Sequence, residues 1–292
     1  SAQAVLAAAP SLYWRLDDPA GTTAVSALVG PGGGTDTGAT LGVQGVFPPD
    51  TALATDGTTR GVVASTLETA GPQVFTAETW FRTSTTRGGK ILGFGRSRFG
   101  TSTNYDRHVY MRDDGTLVFG VYPGYAATVS SSRSYNDGAW HHLAASLGPA
   151  GMRLMVDGDV VAENPAVTSA QDYSGYWRLG GDTTWGGASS SFLAGSIDEF
   201  AVYPRQLAAS EVREHVAVSG VDNAAPTAPD APQVTMTGDD AVIAWAPAQD
   251  NIAVTSYEVH RSDQAAAAPS PATLVTVVPG NDATEADVPA GT

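Results

Sequence analysis

Two adjacent acids, Asp198 and Glu199, sit in an otherwise apolar stretch, "LAGSIDEFAVYP" (193–204). Such a pair could be catalytic, could hold a cation, or could divide between interior and water. Glycoside cleavage needs two carboxyl groups on either side of one bond, about 5 Å or more apart. Successive residues of a regular strand point to opposite faces, so this spacing predicts Asp198 turned inward and Glu199 turned outward. An inward carboxylate then needs either a cation or several donors, because a buried unsatisfied charge is costly. Glu78, in "AETW", has no acid two residues away on either side, so no acid triplet shares its strand face. His141 and His142 follow Trp140, and none of the five histidines has His-x-His or HExxH spacing. Zinc is therefore not expected; His142 reads as a hydrogen-bonded core residue and His141 as its opposite-face neighbour. Lys90 is the single lysine, which leaves amine chemistry one candidate, and the absence of cysteine removes disulfides, thiolate metal sites and cysteine nucleophiles. No catalytic constellation emerges.

Aromatic residues in turn-rich segments are the stronger signal. Trp185 and Asp182 lie in "GGDTTWGGASSS" (180–191), Tyr122 and Tyr125 flank a Pro-Gly, and Tyr105 and Asp106 lie in "STNYDRH" (102–108). Flat rings stack on sugar rings while nearby acids bond hydroxyls, and loops between strands are where rigid scaffolds carry such sites. The competing reading makes Trp185 a lid packed over the fold. Trp14, Trp80 and Trp140 fall in strand-like segments and read as core.

The elements that must position these groups are short strands. "VFTAETWFRT" (74–83), "RHVYMR" (107–112), "TLVFGVY" (116–122), "HHLAASL" (141–147) and "MRLMVDG" (152–158) are punctuated by Asp114-Gly115, Asp137-Gly138 and Asp157-Gly158, all hairpin dipeptides. In "AWHHLAASL" both alternating faces are partly apolar, as in the middle of a two-layer sandwich. Only 207–218 has a helical repeat. "GVDNAAPTAPDAP" (220–232) is Pro- and Ala-rich and reads as a linker, followed by strand-like "AVIAWAP" (241–247), "TSYEVHRS" (255–262) and "ATLVTVV" (272–278). Fifteen Lys and Arg stand against 30 acids, a net charge of −15 that disfavours nucleic acid and anionic membranes as partners. No apolar run approaches the roughly 18 residues of a membrane span, so membrane insertion is not expected.

"YWRLDDPAGTTA" (13–24), "DGAWHHLAASLGPAGMRLMVDGDVVA" (137–162) and "GSIDEFAVYPRQLAASEV" (195–212) together resemble the laminin-G-like, concanavalin A-like jellyroll domains of bacterial extracellular proteins. "APTAPDAPQVTMTGDDAVIAWAPAQDNIAVTSYEVHRS" (225–262) resembles the first half of a fibronectin type III domain, with Trp245 and Tyr257 at its core aromatic positions and its last two strands missing. The resemblances imply an all-β chain: a concanavalin A-like antiparallel sandwich over 1–219, a linker over 220–229, and a partial immunoglobulin-like fibronectin type III sandwich over 230–292. They imply a non-catalytic carbohydrate-binding or adhesion module, secreted or on a bacterial cell surface. Glycans or surface glycoconjugates and further domains of the same polypeptide would be its partners. The alternative is an accessory region of a larger glycoside hydrolase whose catalytic domain lies elsewhere; a third is a plain spacer. Trp185, Tyr122, Tyr125, Tyr105, Asp106 and Asp182 would meet the ligand. A structural calcium is also implied, held by Asp198, Asp18 and the Gly21 carbonyl; the other reading has Asp198 bonded to backbone amides.

Overall fold

Alternation of small, β-branched and aromatic residues between positive-φ glycines yields two antiparallel sheets face to face. A computed structural model describes residues 2–36, 38–58, 61–220, 226–249, 254, 256–264 and 268–286. The chain divides into two compact units, Ser1–Asn223 and Ala224–Thr292.

In the first unit, one sheet has eight strands. Their order is Asp159–Asn164, Met152–Val156, Trp140–Leu147, Phe75–Arg82, Ala194–Tyr203, Thr51–Asp56 and Ala39–Gln44, with Leu12–Trp14 also paired to Ala194–Tyr203. The other has nine, running from Ala127–Ser134 through Thr116–Val121, Tyr105–Met111, Gly89–Gly95 and Ser174–Leu179 to three short strands, with Thr69–Ala70 alongside. The inner faces share one core that includes Trp14, Phe75, Phe81, Phe94, Phe119, Trp177 and Phe200. The expected hairpin chemistry is present: Asp157 (φ 53°) and Gly158 (φ 87°) form the two-residue turn joining Val156 to its partner Asp159. In the Trp140–Leu147 strand, Leu143, Ala145 and Leu147 join the core while Ala144 joins the opposite outer cluster, as alternation predicts.

Two helices cover the outer face of the eight-stranded sheet. Helix α2 (Ala209–Ala217) buries Val212, His215 and Val216. Its first turn is closed by half a capping box: the Ala208 amide donates to Glu211 Oε2 at 2.8 Å, while the methyl of Ala208 has nothing to offer in return. Helix α1 (Ala2–Ala7) has no amphipathic signature in the sequence. Alanine's high propensity and the burial of Val5 against Tyr13, Tyr203 and Leu207 account for it.

The second unit holds a three-stranded sheet, Gln233–Thr237, Asp240–Ala244 and Asp282–Glu285, and a two-stranded one, Tyr257–His260 with Leu274–Val278. Trp245, Val259 and Ala283 are its buried centre, with Trp245 and Tyr257 rings 5.3 Å apart. A groove of about 410 Å³ opens beside them, and Val234 and Met236 are exposed. Residues 221–225, within the expected linker, lie outside the described residues.

Candidate functional site

The opening acids are placed differently from the alternation rule. Asp198 pairs with Trp80 and Ala201 with Glu78, so Glu199 and Phe200 together oppose Thr79. This is a β-bulge, with Glu199 at φ 53°. The extra residue returns Phe200 to the core and leaves both acids on the outer side. Glu199 is therefore not solvated, contrary to expectation; it is 3% exposed. It accepts a hydrogen bond from the Tyr13 hydroxyl and meets Arg15 Nε at 3.4 Å. Burial pushes its carboxyl up, opposed by Tyr13 and Arg15. Asp198 is fully buried, and its two oxygens accept from the Val46 and Glu199 amides, each at 2.9 Å. Burial, with Glu199 beside it, pushes the Asp198 carboxyl up to about 8. Neither acid is open to a substrate.

Asp18, expected to share a cation with Asp198, instead accepts from the Ser26 amide at 2.9 Å and the Ser26 hydroxyl at 2.5 Å. Gly21, in the turn after it, has φ 84°. Among the described residues no three His, Asp or Glu side chains form a metal-sized group. Calcium takes six to eight oxygens. Here Asp198 already accepts from two backbone amides and Asp18 from the amide and hydroxyl of Ser26, so a cation would have to share these oxygens with their present donors.

A second buried cluster lies under α2. Glu78 Oε1 accepts from the Tyr203 hydroxyl at 2.5 Å and stands 3.0 Å from His215 Nδ1, while His142 Nε2 is 3.5 Å from Oε2. Burial alone would raise the Glu78 carboxyl, but His142 and His215 hold it well below the usual carboxylate range. Glu78 in turn outweighs burial at His215 and raises it. His141, on the inner face, meets Asp157 at 2.7 Å and Asp137 at 3.1 Å. These are paired groups, not reagents.

The remaining face is the outer side of the nine-stranded sheet. Tyr105–Met111 and Gly89–Gly95 place Lys90 beside Tyr110, and His108 pairs with Gly120. Glycine clears the floor: a Cβ at Gly93 would lie 2.8 Å from His108 Cβ, and one at Gly120 would lie 2.6 Å from Trp185 Cζ3. Trp185 therefore lies over Gly120, its ring 4.4 Å from His108 and 6.3 Å from both Tyr105 and Tyr122. The Trp185 loop is anchored at both ends. Asp182 accepts from the Ser102 amide at 2.9 Å, and Asp113 accepts from Ser189 N at 2.7 Å.

Three of the loop aromatics singled out in the sequence, Trp185, Tyr105 and Tyr122, thus form one partly exposed cluster. Tyr125 is more exposed, at 59%, beyond the turn after Tyr122. Asp182 is buried against Arg178, 3.3 Å away. Asp106 does not face solvent: it is fully buried, pairs with Arg107 at 2.5 Å, and accepts from the Tyr122 and Gln171 amides. Its role is to fix the strand end that carries Tyr122. The sequence reading missed Lys90, His108 and Tyr110 beneath the rings. Lys90 is 1% exposed; its Nζ stands 4.8 Å from the Tyr105 ring centre and has no hydrogen-bond partner among the described residues, and neither nitrogen of His108 has one there. Burial brings the Lys90 amine down to about 7 and, with Lys90 nearby, pushes His108 well below its ordinary value. A lone lysine in "GGKILGFG" was the available signal.

A family model, concanavalin A-like lectin/glucanases superfamily, matches residues 56–213, more than half of the chain. The chain belongs to that superfamily. Among solved structures, the binding domain of Paraclostridial Mosquitocidal Protein 1 is similar at TM-score 0.53 and 12% identity, over 90% of this chain and 68% of that one. Trypanosoma rangeli sialidase in complex with sialic acid matches at TM-score 0.49 and 13% identity, over 69% of this chain. The Ruminococcus gnavus IT-sialidase CBM40 bound to alpha2,3 sialyllactose matches at 0.41 and 20%, over 51% of this chain and 83% of that one. The chain spans about a third of the length of the sialidase it matches, 32%. No curated protein matches it. In this concanavalin A-like chain the aromatic cluster lies on the outer face of a sandwich sheet, with strand residues as its floor and loops as its walls.

Proposed function

We propose that the first unit is a non-catalytic carbohydrate-binding module of a secreted or cell-surface bacterial protein, with the glycan lying against Trp185, Tyr105 and Tyr122. The carrying observation is the convergence of three half-exposed rings over buried polar groups without partners. Rings provide flat apolar contact, and unpaired donors beneath them give a ligand something to satisfy. The buried state of Asp198, Glu199 and Glu78 supports binding rather than hydrolysis. The neighbours' printed sialic acid and sialyllactose ligands make a glycan the class to test first.

A glycan array probed with the whole chain and with Trp185→Ala tests the reading. Expected is binding to a restricted set of glycans, weakened about tenfold in the variant; an identical pattern and strength for both proteins rejects this face. Two further parts of the proposal are separable. The second unit is taken as a fibronectin type III spacer, for which limited proteolysis should cut within 226–286 before the sandwich. A rim calcium at Asp18, Gly21 and Asp198 requires Asp198 to lose its proton. Equal melting temperatures in calcium and in chelator remove that part and leave the glycan reading intact.

A further inference from the structure

The carboxylates around the ring cluster already have cations of their own: Asp182 with Arg178 at 3.3 Å, and Asp106 with Arg107 at 2.5 Å. Lys90 makes no hydrogen bond to either carboxylate, although Asp182 and Asp106 lie near enough to favour its charge. Asp182 Oδ2 also has no hydrogen-bond partner among the described residues. In a chain of 30 acids and 15 Lys and Arg, the only lysine is buried without a hydrogen-bond acceptor among the described residues. It lies under the cluster of Trp185, Tyr105 and Tyr122. The face of Tyr105, 4.8 Å away, offers a cation–π contact but accepts no N–H bond of the ordinary kind. His108, with both ring nitrogens unpartnered, lies directly under Trp185, at 4.4 Å. Buried donors left unpaired are costly, and their persistence at a binding face is explained when a ligand supplies the acceptor.

The geometry points to a glycan bearing an anionic group, carboxylate or sulfate, whose charged oxygens are received by Lys90 with His108 beside it once Trp185 moves off the imidazole. The inference rests on the glycan-binding reading and adds the ligand's charge and the residue that selects it. Lys90 is the specificity determinant, and Trp185 is both platform and cover. A neutral sugar would stack on the rings without reaching Lys90. An anionic one would replace the missing acceptor with a charge-assisted bond, which is stronger than a neutral one.

The test uses matched probes: lactose, sialyllactose and sulfated lactose, titrated against the whole chain, Lys90→Met and His108→Gln, with Trp185 fluorescence recorded. Expected for the wild type is at least tenfold tighter binding of one anionic probe than of lactose, with a change in tryptophan emission. Lys90→Met should lose that preference and keep any lactose affinity; His108→Gln should weaken it less. The arm that binds distinguishes carboxylate from sulfate. Equal affinity for all three probes overturns the inference while the glycan reading stands, as does a preference that survives Lys90→Met. Circular dichroism and melting temperature establish that the variants fold. If Lys90→Met does not fold, the wild-type comparison and His108→Gln decide. Failure of the chain to bind any array glycan or any of these probes overturns both readings together.

Discussion

The two outer faces of the sandwich bury polar groups in opposite ways. Under α2, Glu78 is surrounded by Tyr203, His142 and His215, all within 3.5 Å. On the other sheet, Lys90 and His108 are as deeply buried and have no hydrogen-bond partners. Burial alone therefore does not mark a functional residue; what differs is whether the protein completes the group's bonding. The Glu78 cluster, in which the carboxylate has its partners and only His142 Nδ1 is left over, fastens a helix to a sheet. The Lys90 face leaves the amine and both His108 nitrogens unpaired, a cost in stability that a ligand can return.

Substitutions should separate the faces most sharply. Glu78→Ala strands two histidines and a tyrosine, and by analogy with other broken buried pairs should cost about 3–5 kcal/mol in denaturant unfolding. Lys90→Met removes a buried donor without a partner, and should leave the unfolding midpoint unchanged or raised. Similar losses for both would erase the distinction.

The next effect is of pH. His215 is raised above its ordinary 6.5, so its contribution is complete below that value and is lost as pH climbs through the folded one. Glu78 is depressed, so its contribution is complete above 4.5 and is lost only on strong acidification. Asp198 runs against the usual carboxylate: with a folded value of about 8 against 3.8, the unfolded chain ionises first and stability falls between those limits. Calorimetry should therefore find stability highest around pH 4–4.5, where Glu78 is ionised and the Asp198 penalty has scarcely begun, and a decline from there toward pH 8. Asp198→Asn should flatten the decline, and an unchanged slope would remove Asp198 as its source.

Smaller still, Trp185→Ala should weaken glycan binding by about tenfold, or roughly 1.4 kcal/mol, with little change in melting temperature. A large drop in stability instead would make Trp185 the packed lid of the competing reading. Smallest is Ala208→Ser, which completes the α2 capping box and should add about 1 kcal/mol, or roughly 2–4 °C. No gain would mean that Glu211 alone already satisfies the turn.

Much of this was legible in the residues. Alternation in "AWHHLAASL" separated His141 from His142, and Asp-Gly pairs marked turns whose glycines have φ between 82° and 87°. Clustered loop aromatics drew attention to Trp185, Tyr105 and Tyr122. What alternation could not register is a single inserted residue: the bulge at Glu199 resets the strand's period, and a carboxylate expected in water is buried against Tyr13. Asp106 looked like a loop acid because nothing local revealed its partner Gln171, 65 residues away. Lys90 was legible only as a count of one. Its meaning depended on Gly93, Gly120 and the Trp185 loop meeting above it, which are contacts between distant segments.

The solitary lysine also turns the protein into its own reporter. Nζ of Lys90 is shut behind Tyr105, so an amine-selective reagent that marks most proteins at many positions can mark this side chain only during excursions that uncover it. The rate of modification at Lys90, followed by the mass of the peptide that carries it and so kept apart from the α-amine, counts openings of the aromatic cover in the manner of amide hydrogen exchange. It does so without another lysine to confuse the signal.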